Sequence, residues 1–174
     1  MDTRWSTYAV IGLAILVGAG LVVFSTGILG AFLGDGYDPD ADDGDYEHTT
    51  VTVVDGETGA ELGAVEAAVA DTFSKRYLGL SGTERLPEDR GMLFVHDSPG
   101  EHTYVMRDMS FGIDIVYADG EGTVTTIHEA PAPGPGEDGS TQEYPGTGRY
   151  VLEVNEGWMA DRGVEVGDGL RFER

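Results

Sequence analysis

Arg107, Asp108, Asp114, Glu129 and Glu153 are charged groups set within or beside short strand-like runs. Carboxylates paired with an arginine carry general acid and base chemistry once burial separates their pKa values. An enzyme built from this set would be a hydrolase using Asp114 with Arg107 or Asp108. A binding module would use the region differently, with Met106, Arg107, Asp108, Asp114 and Glu129 at the edge of a ligand pocket. The third role is structural. Asp114 interrupts the apolar run Ile113 to Tyr117, and an acid in mid-strand needs a partner. Turn amides or an arginine provide one and fix a loop in doing so. In an extended strand Ile113, Ile115 and Tyr117 share one face, which places Asp114 on the other with Val116. The structural role is the expectation for Asp114, and a solvated position is the expectation for Glu129.

Histidine forms a second set. His96 and His102 bracket Asp97 to Glu101 and can face each other across a hairpin, with His128 on another strand as a further imidazole. Their spacing matches no closed zinc pattern, so no metal is expected. Ser98, Ser110 and Ser140 lie in no nucleophile elbow. The glycines fall in turns or in the apolar N-terminal run, not in a phosphate-cradling loop. The chain has no cysteine, which removes disulfides and thiolate sites. No cofactor is expected. Trp158 and Met159 read as core residues of a short helix, in preference to an aromatic ligand patch.

The elements that position these residues centre on Gly91 to Gly122. Met92 to His96 and Tyr104 to Met106 read as two strands joined by a loop of hairpin length, and Ile113 to Tyr117 reads as a third. Further strands are predicted over Thr50 to Val54, Val65 to Val69, Thr123 to Ala130, Tyr150 to Val154 and Leu170 to Phe172. Short helices are predicted over Phe73 to Leu80 and Glu156 to Arg162. Pro131 to Gly148 reads as a long loop rich in proline and glycine, a length that is often functional. Many short strands with two helical turns predict one mainly-β domain over residues 49–174, a compact β-sandwich or jelly-roll-like barrel.

The N-terminal part differs in kind. No charged residue occurs from Trp5 to Gly34, and Tyr8 to Leu33 exceeds the roughly 20 apolar residues that a bilayer core requires. The run is longer than a signal-peptide core and no small-x-small site follows, so residues 1–34 are predicted to be an uncleaved transmembrane anchor. Arg4 precedes the run and acids follow it, which puts the N-terminus in the cytoplasm and the domain outside the cell membrane. The membrane is thus a partner through residues 5–33. Ala14 with Gly18, and Gly30 with Gly34, have helix-pairing spacing, but they do not suffice to infer a dimer.

Residues 35–48 are predicted to be a solvated linker, because DGYDPDADDGDYE from Asp35 to Glu47 is too acidic to bury a core. No register of that run meets the EF-hand pattern. The net charge is −22, with 32 acids against 10 lysines and arginines, and the acids are spread along the domain rather than confined to a tail. That balance is expected of a protein from a high-salt environment, where screening within a few ångströms suppresses self-repulsion. It excludes nucleic acid as a partner, since nothing basic is available to neutralise phosphates.

Four runs carry a family resemblance: RYLGL at Arg76 to Leu80, LPEDRGMLFV at Leu86 to Val95, YVMRDMSFGIDIVYADG at Tyr104 to Gly120, and YVLEVNEGWMADRGVEVGD at Tyr150 to Asp168. In their order and spacing, Phe73 to Phe172 resembles the bacterial and archaeal family known as domain of unknown function 192. The resemblance implies a compact β-sandwich of jelly-roll type, frequently behind a signal or anchor segment, and implies no established activity. Val105 stands where members commonly have tryptophan, Arg107-Asp108 where they have lysine-asparagine, and Gly112 where proline is common. The functional expectation is a membrane-anchored extracytoplasmic module that binds a small ligand or an envelope component. The enzyme that uses Asp114 with Arg107 or Asp108 is the alternative.

Overall fold

β-Branched and aromatic residues concentrate in the runs that become strands, and glycines punctuate the turns between them. The structure is a computed structural model that describes residues 36–39 and 46–173. The predicted anchor, and residues 35 and 40–45 of the predicted linker, lie outside the described residues. Among the described residues, no helix is long and apolar enough to cross a membrane.

The strands are β1 (His48–Val54), β2 (Glu61–Ala70), β3 (Arg90–Val105), β4 (Ile113–Ala118), β5 (Val124–Ala130), β6 (Glu143–Asn155) and β7 (Gly169–Arg171). Two short helices interrupt them, α1 (Phe73–Leu78) and α2 (Trp158–Asp161). Thr72 caps α1 by accepting from the Lys75 amide at 3.3 Å. Gly79 ends it at φ 56°, a left-handed value that favours glycine. A Cβ on Gly79 would also stand 3.3 Å from the Phe94 ring, so this residue lets the helix end settle onto β3.

All seven strands join one sheet in the order β5-β4-β6-β3-β2-β1-β7. β2 and β3 pair in parallel, joined by the crossover that contains α1, and the other pairs are antiparallel. The two ends of the order also meet. Thr123 bridges Gly169, the Val124 amide donates to Asp168 O at 2.8 Å, and the Leu170 amide donates to Gly122 O at 2.7 Å. The expected β-sandwich or jelly-roll-like barrel is thereby narrowed to a single curled sheet, a half-barrel whose edges are held together by loop hydrogen bonds. The mainly-β class with short helices holds.

Three local expectations change as well. The predicted hairpin within 92–106 is one continuous strand, because both halves of β3 pair with β6 and residues 96–99 form a wide bulge between Val95 and Gly100. The loop expected over 131–148 is shorter, since β6 begins at Glu143. Within the stretch read as linker, Tyr37 is buried, and its carbonyl accepts from the Thr83 hydroxyl at 2.9 Å.

Alternation along the strands separates two apolar faces. One face takes Val51, Val65, Leu93, Val116, Leu152 and Leu170, with Trp158 and Met159 of α2 packed against them. The opposite face takes Ala68, Met92, Phe94, Ile113, Ile115, Tyr117 and Val151, covered by Tyr37, Leu80, Leu86 and Met106. The candidate site lies on this second face.

Candidate functional site

The residues expected at a pocket edge do not converge. Asp114 is 2% exposed on β4, and alternation turns it to the face of Val116 and α2. Its Oδ1 accepts from the Gly157 amide at 2.9 Å and its Oδ2 from the Met159 amide at 2.8 Å. Both oxygens are thus engaged at the start of α2. Burial pushes this carboxyl above the usual range, the two amides oppose that shift, and the charges of Glu129 and Asp161 add to it. Glu129 is Asp114's register partner on β5 and is exposed.

Met106 is buried in the core of the second face. Asp108 is exposed and adopts φ 55°, with its amide donating to Asp138 O at 3.0 Å. Arg107 turns toward α1, where its Nη2 donates to Tyr77 O at 2.6 Å and its guanidinium lies 4.4 Å from the Tyr77 ring centroid. Arg107 and Asp114 therefore serve different faces of the sheet.

The histidines divide likewise. The β3 bulge stacks His96 on His102, with ring centroids 3.5 Å apart and planes 12° from parallel. His128 instead stands 2.8 Å from Pro145 O. Among the described residues, no group of three or more metal-binding side chains could hold an ion. His96 Nε2 shares a hydrogen bond with the Tyr104 hydroxyl at 3.1 Å. Burial lowers the His96 pKa to about 4, helped by the charges of His102 and Arg76 and opposed by Asp97. Burial also lowers His102, opposed by the Gly148 backbone and aided by Arg76. Both shifts favour the neutral imidazoles.

What the fold does assemble is a cavity of about 580 Å³ between α1 and the second face of the sheet. Phe94, Tyr104 and Ile113 form apolar walls, and Arg76 and Arg107 bring two cations. Phe73, Tyr77 and Val105 also line it, at 79%, 50% and 36% exposed. These are three of the four large hydrophobic side chains exposed among the described residues, the other being Val166. Apolar exposure is thus concentrated at one place, as at ligand and partner sites.

Glu153 lies at the floor of this cavity and is only 4% exposed. Its register partners are Met92 on β3 and Ile115 on β4, both fully buried. No hydrogen bond or ion pair reaches its carboxylate among the described residues. Burial alone raises its pKa to about 8. The neighbouring Tyr104 hydroxyl is pushed up by burial first and then by the Glu153 charge. A buried acid without a partner is costly and marks a functional site more often than a structural one. Sequence reasoning named Glu153 as a charged strand residue but did not place it in the site. The available signal was the same one that singled out Asp114, an acid inside the apolar run Val151 to Val154.

Solved structures share the fold. A protein of Sinorhizobium meliloti 1021, named as a candidate transcription regulator, is 26% identical with a TM-score of 0.66, the match covering 73% of this chain and 95% of that one. A protein of unknown function from Novosphingobium aromaticivorans DSM 12444 is 24% identical with a TM-score of 0.63, covering 82% of this chain and 96% of that one; at this identity the likeness concerns the fold alone. No curated protein matches the chain. A family model described as DUF192, Uncharacterized ACR, matches residues 54–172, which span β2 to β7 and every residue lining the cavity, and the chain belongs to that family.

Proposed function

We propose that the protein is a small-ligand-binding module, tethered to the cell membrane by residues 5–33 with its β domain on the outer side, and that its ligand occupies the cavity over Glu153. The unpartnered Glu153 carboxyl carries this reading, because an apolar residue between Met92 and Ile115 would fill the same place without the desolvation cost. The exposed rim of Phe73, Tyr77 and Val105 supports it. The uncharged run Trp5 to Gly34, with Arg4 before it and acids after it, supports the tether and its direction. The net charge of −22 supports a high-salt environment and opposes contact with nucleic acid. The name of the Sinorhizobium protein is therefore not carried over to this chain.

Binding is preferred to catalysis because Ser81, the serine that lines the cavity, donates to Arg107 O at 2.9 Å and has no hydrogen bond to a base. Catalysis is favoured by one observation, again Glu153: a carboxyl titrating near about 8 suits a general acid or base at neutral pH. An enzyme of that kind would use Glu153 in place of Asp114.

Two experiments test the proposal. Binding is tested by adding a panel of small amines, carboxylates and sugars to the isotope-labelled full chain and following its amide resonances. At least one compound is expected to shift Gly79, Tyr104 and Glu153 together; a panel that leaves all three unmoved contradicts the reading. Topology is tested through the absence of native cysteine. An Asp108→Cys variant should react with a membrane-impermeant thiol reagent on intact cells, and labelling only after lysis would overturn the tether's direction.

A further inference from the structure

The cavity is lined by a buried acid and two arginines that form no ion pair with one another among the described residues. Glu153 comes from the middle of β6, Arg76 from α1 and Arg107 from the segment after β3. No hydrogen bond or ion pair joins Glu153 to either arginine among the described residues. Arg76 spends Nη1 on two carbonyls, Asp71 O at 2.7 Å and Val95 O at 2.8 Å, and forms no ion pair among the described residues. Arg107 is bound to Tyr77 O and touches Asp108 only at 3.9 Å, on an exposed carboxylate. A carbonyl dipole holds a guanidinium in place without cancelling its charge, so each arginine keeps capacity for an anion.

The acid is the better built of the two ends. It is buried to within 4% of its surface, has no partner, and has Phe94 and Tyr104 lining the same cavity, with rings edge to face at 4.9 Å. An acid that shares a cavity with aromatic rings can receive an ammonium group, by charge pairing and by attraction to the ring quadrupole. A ligand that carried only a cation would leave the arginines unanswered, and one that carried only an anion would leave Glu153 buried and alone. The apolar walls of Phe94 and Ile113 and the rim of Phe73, Tyr77 and Val105 require an apolar body between the charged ends.

We propose that the cavity takes a zwitterion with an apolar body, of about dipeptide size, whose ammonium group pairs with Glu153 and whose carboxylate pairs with Arg76 and Arg107. This rests on the ligand-binding reading above and deepens it by assigning the chemical class. The aliphatic and aromatic surface selects hydrophobic side chains, and the separated charges fix the direction in which the molecule lies.

The probes are L-phenylalanyl-L-phenylalanine, its N-acetyl derivative and its C-terminal amide, which share a body and lose one charge each. Binding to the full chain in detergent micelles is measured by calorimetry, with micelles alone as the blank. The free dipeptide should bind at least about ten-fold more tightly than either derivative. The acetylation penalty should vanish in Glu153→Gln, and the amidation penalty should shrink in Arg107→Ala, where Arg76 remains to meet the carboxylate. Equal binding of all three probes overturns the zwitterion while leaving a small-ligand cavity intact. The zwitterion is likewise overturned if a compound of the wider panel shifts the cavity resonances and none of the three dipeptides binds. The acetylation and amidation comparisons use wild-type protein alone, so the class is decided even if a variant fails to fold.

Discussion

Asp114 on β4 and Glu153 on β6 stand in adjacent strands, one opposite Val154 and the other opposite Ile115, with exposures of 2% and 4%. Burial raises both carboxyls, yet their surroundings differ completely. Asp114 faces α2 and has an amide on each oxygen. Glu153 faces the α1 cavity and has no partner among the described residues. A buried acid is explained when its bonds are accounted for, and where they are not the fold is holding capacity for something else. One face of the half-barrel is a closed core, and the other is a core with a cavity cut into it.

The largest effect that separates the two acids is expected at Glu153. Its folded carboxyl titrates near about 8 and the ordinary value is 4.5, so the folded chain holds the proton more tightly. Stability therefore falls as pH rises through that window and stays low above it. Glu153→Gln, a neutral isostere, should be more stable than wild type near pH 9 by on the order of a few kcal/mol. The two should converge below the ordinary value of 4.5, where the wild-type acid is neutral in both the folded and the unfolded chain. Denaturant unfolding followed by Trp158 fluorescence measures the difference, and a destabilised variant at alkaline pH would mean that Glu153 has a structural partner after all.

Asp114→Asn should move the other way. An amide has one acceptor oxygen, so either the Gly157 or the Met159 amide would face an NH₂ group, at a cost of about 1–3 kcal/mol. The melting temperature should fall while dipeptide binding in the α1 cavity is unchanged. Loss of binding with unaltered melting would place Asp114 in the site.

The cavity side should also carry an acid sensitivity that the α2 face lacks. His96 is held at about 4 against an ordinary 6.5, and His102 is lowered too, so the folded chain takes up protons less readily than the unfolded one. The stability that the neutral stack confers is complete above the ordinary value and is lost as pH falls toward the folded one. His96→Phe should reduce the fall in melting temperature between those limits, and an unchanged acid slope would exclude the stack as its source. Phe73→Ser, at an exposed rim position, should change stability by no more than about 0.5 kcal/mol yet weaken ligand binding. Unaltered affinity would remove the rim from the site.

The contrast between the acids also shows what a linear chain reveals. Strand positions were legible wherever β-branched and aromatic residues cluster, as in β4 and the second half of β6. The join within β3 was not, because Asp97-Ser98-Pro99-Gly100 has turn chemistry and only pairing with β6 on both sides keeps the strand continuous. The parallel pairing of β2 with β3 depends on contacts across the α1 crossover, which no local pattern specifies. For Asp114 the need for a partner was legible, with turn amides or an arginine as the candidates, but its identity was not, since Gly157 and Met159 lie more than 40 residues away. Glu153 carried the same strand signal, and its importance emerges only once α1 is placed beside it to make a cavity. His96 and His102 were legible as a facing pair because they bracket Asp97 to Glu101, although a bulge within β3, and not a hairpin, brings them together.

The central claim is that Glu153 is a buried acid without a partner, waiting on a ligand, while Asp114 is satisfied by the fold. Direct titration of the Glu153 side-chain carboxyl by carbon-13 NMR, assigned by its loss in Glu153→Gln, tests it in one measurement. A midpoint near about 8 is predicted for the ligand-free protein. A midpoint at the ordinary 4.5 would contradict the account, because a carboxyl that ionises there is already paired or solvated.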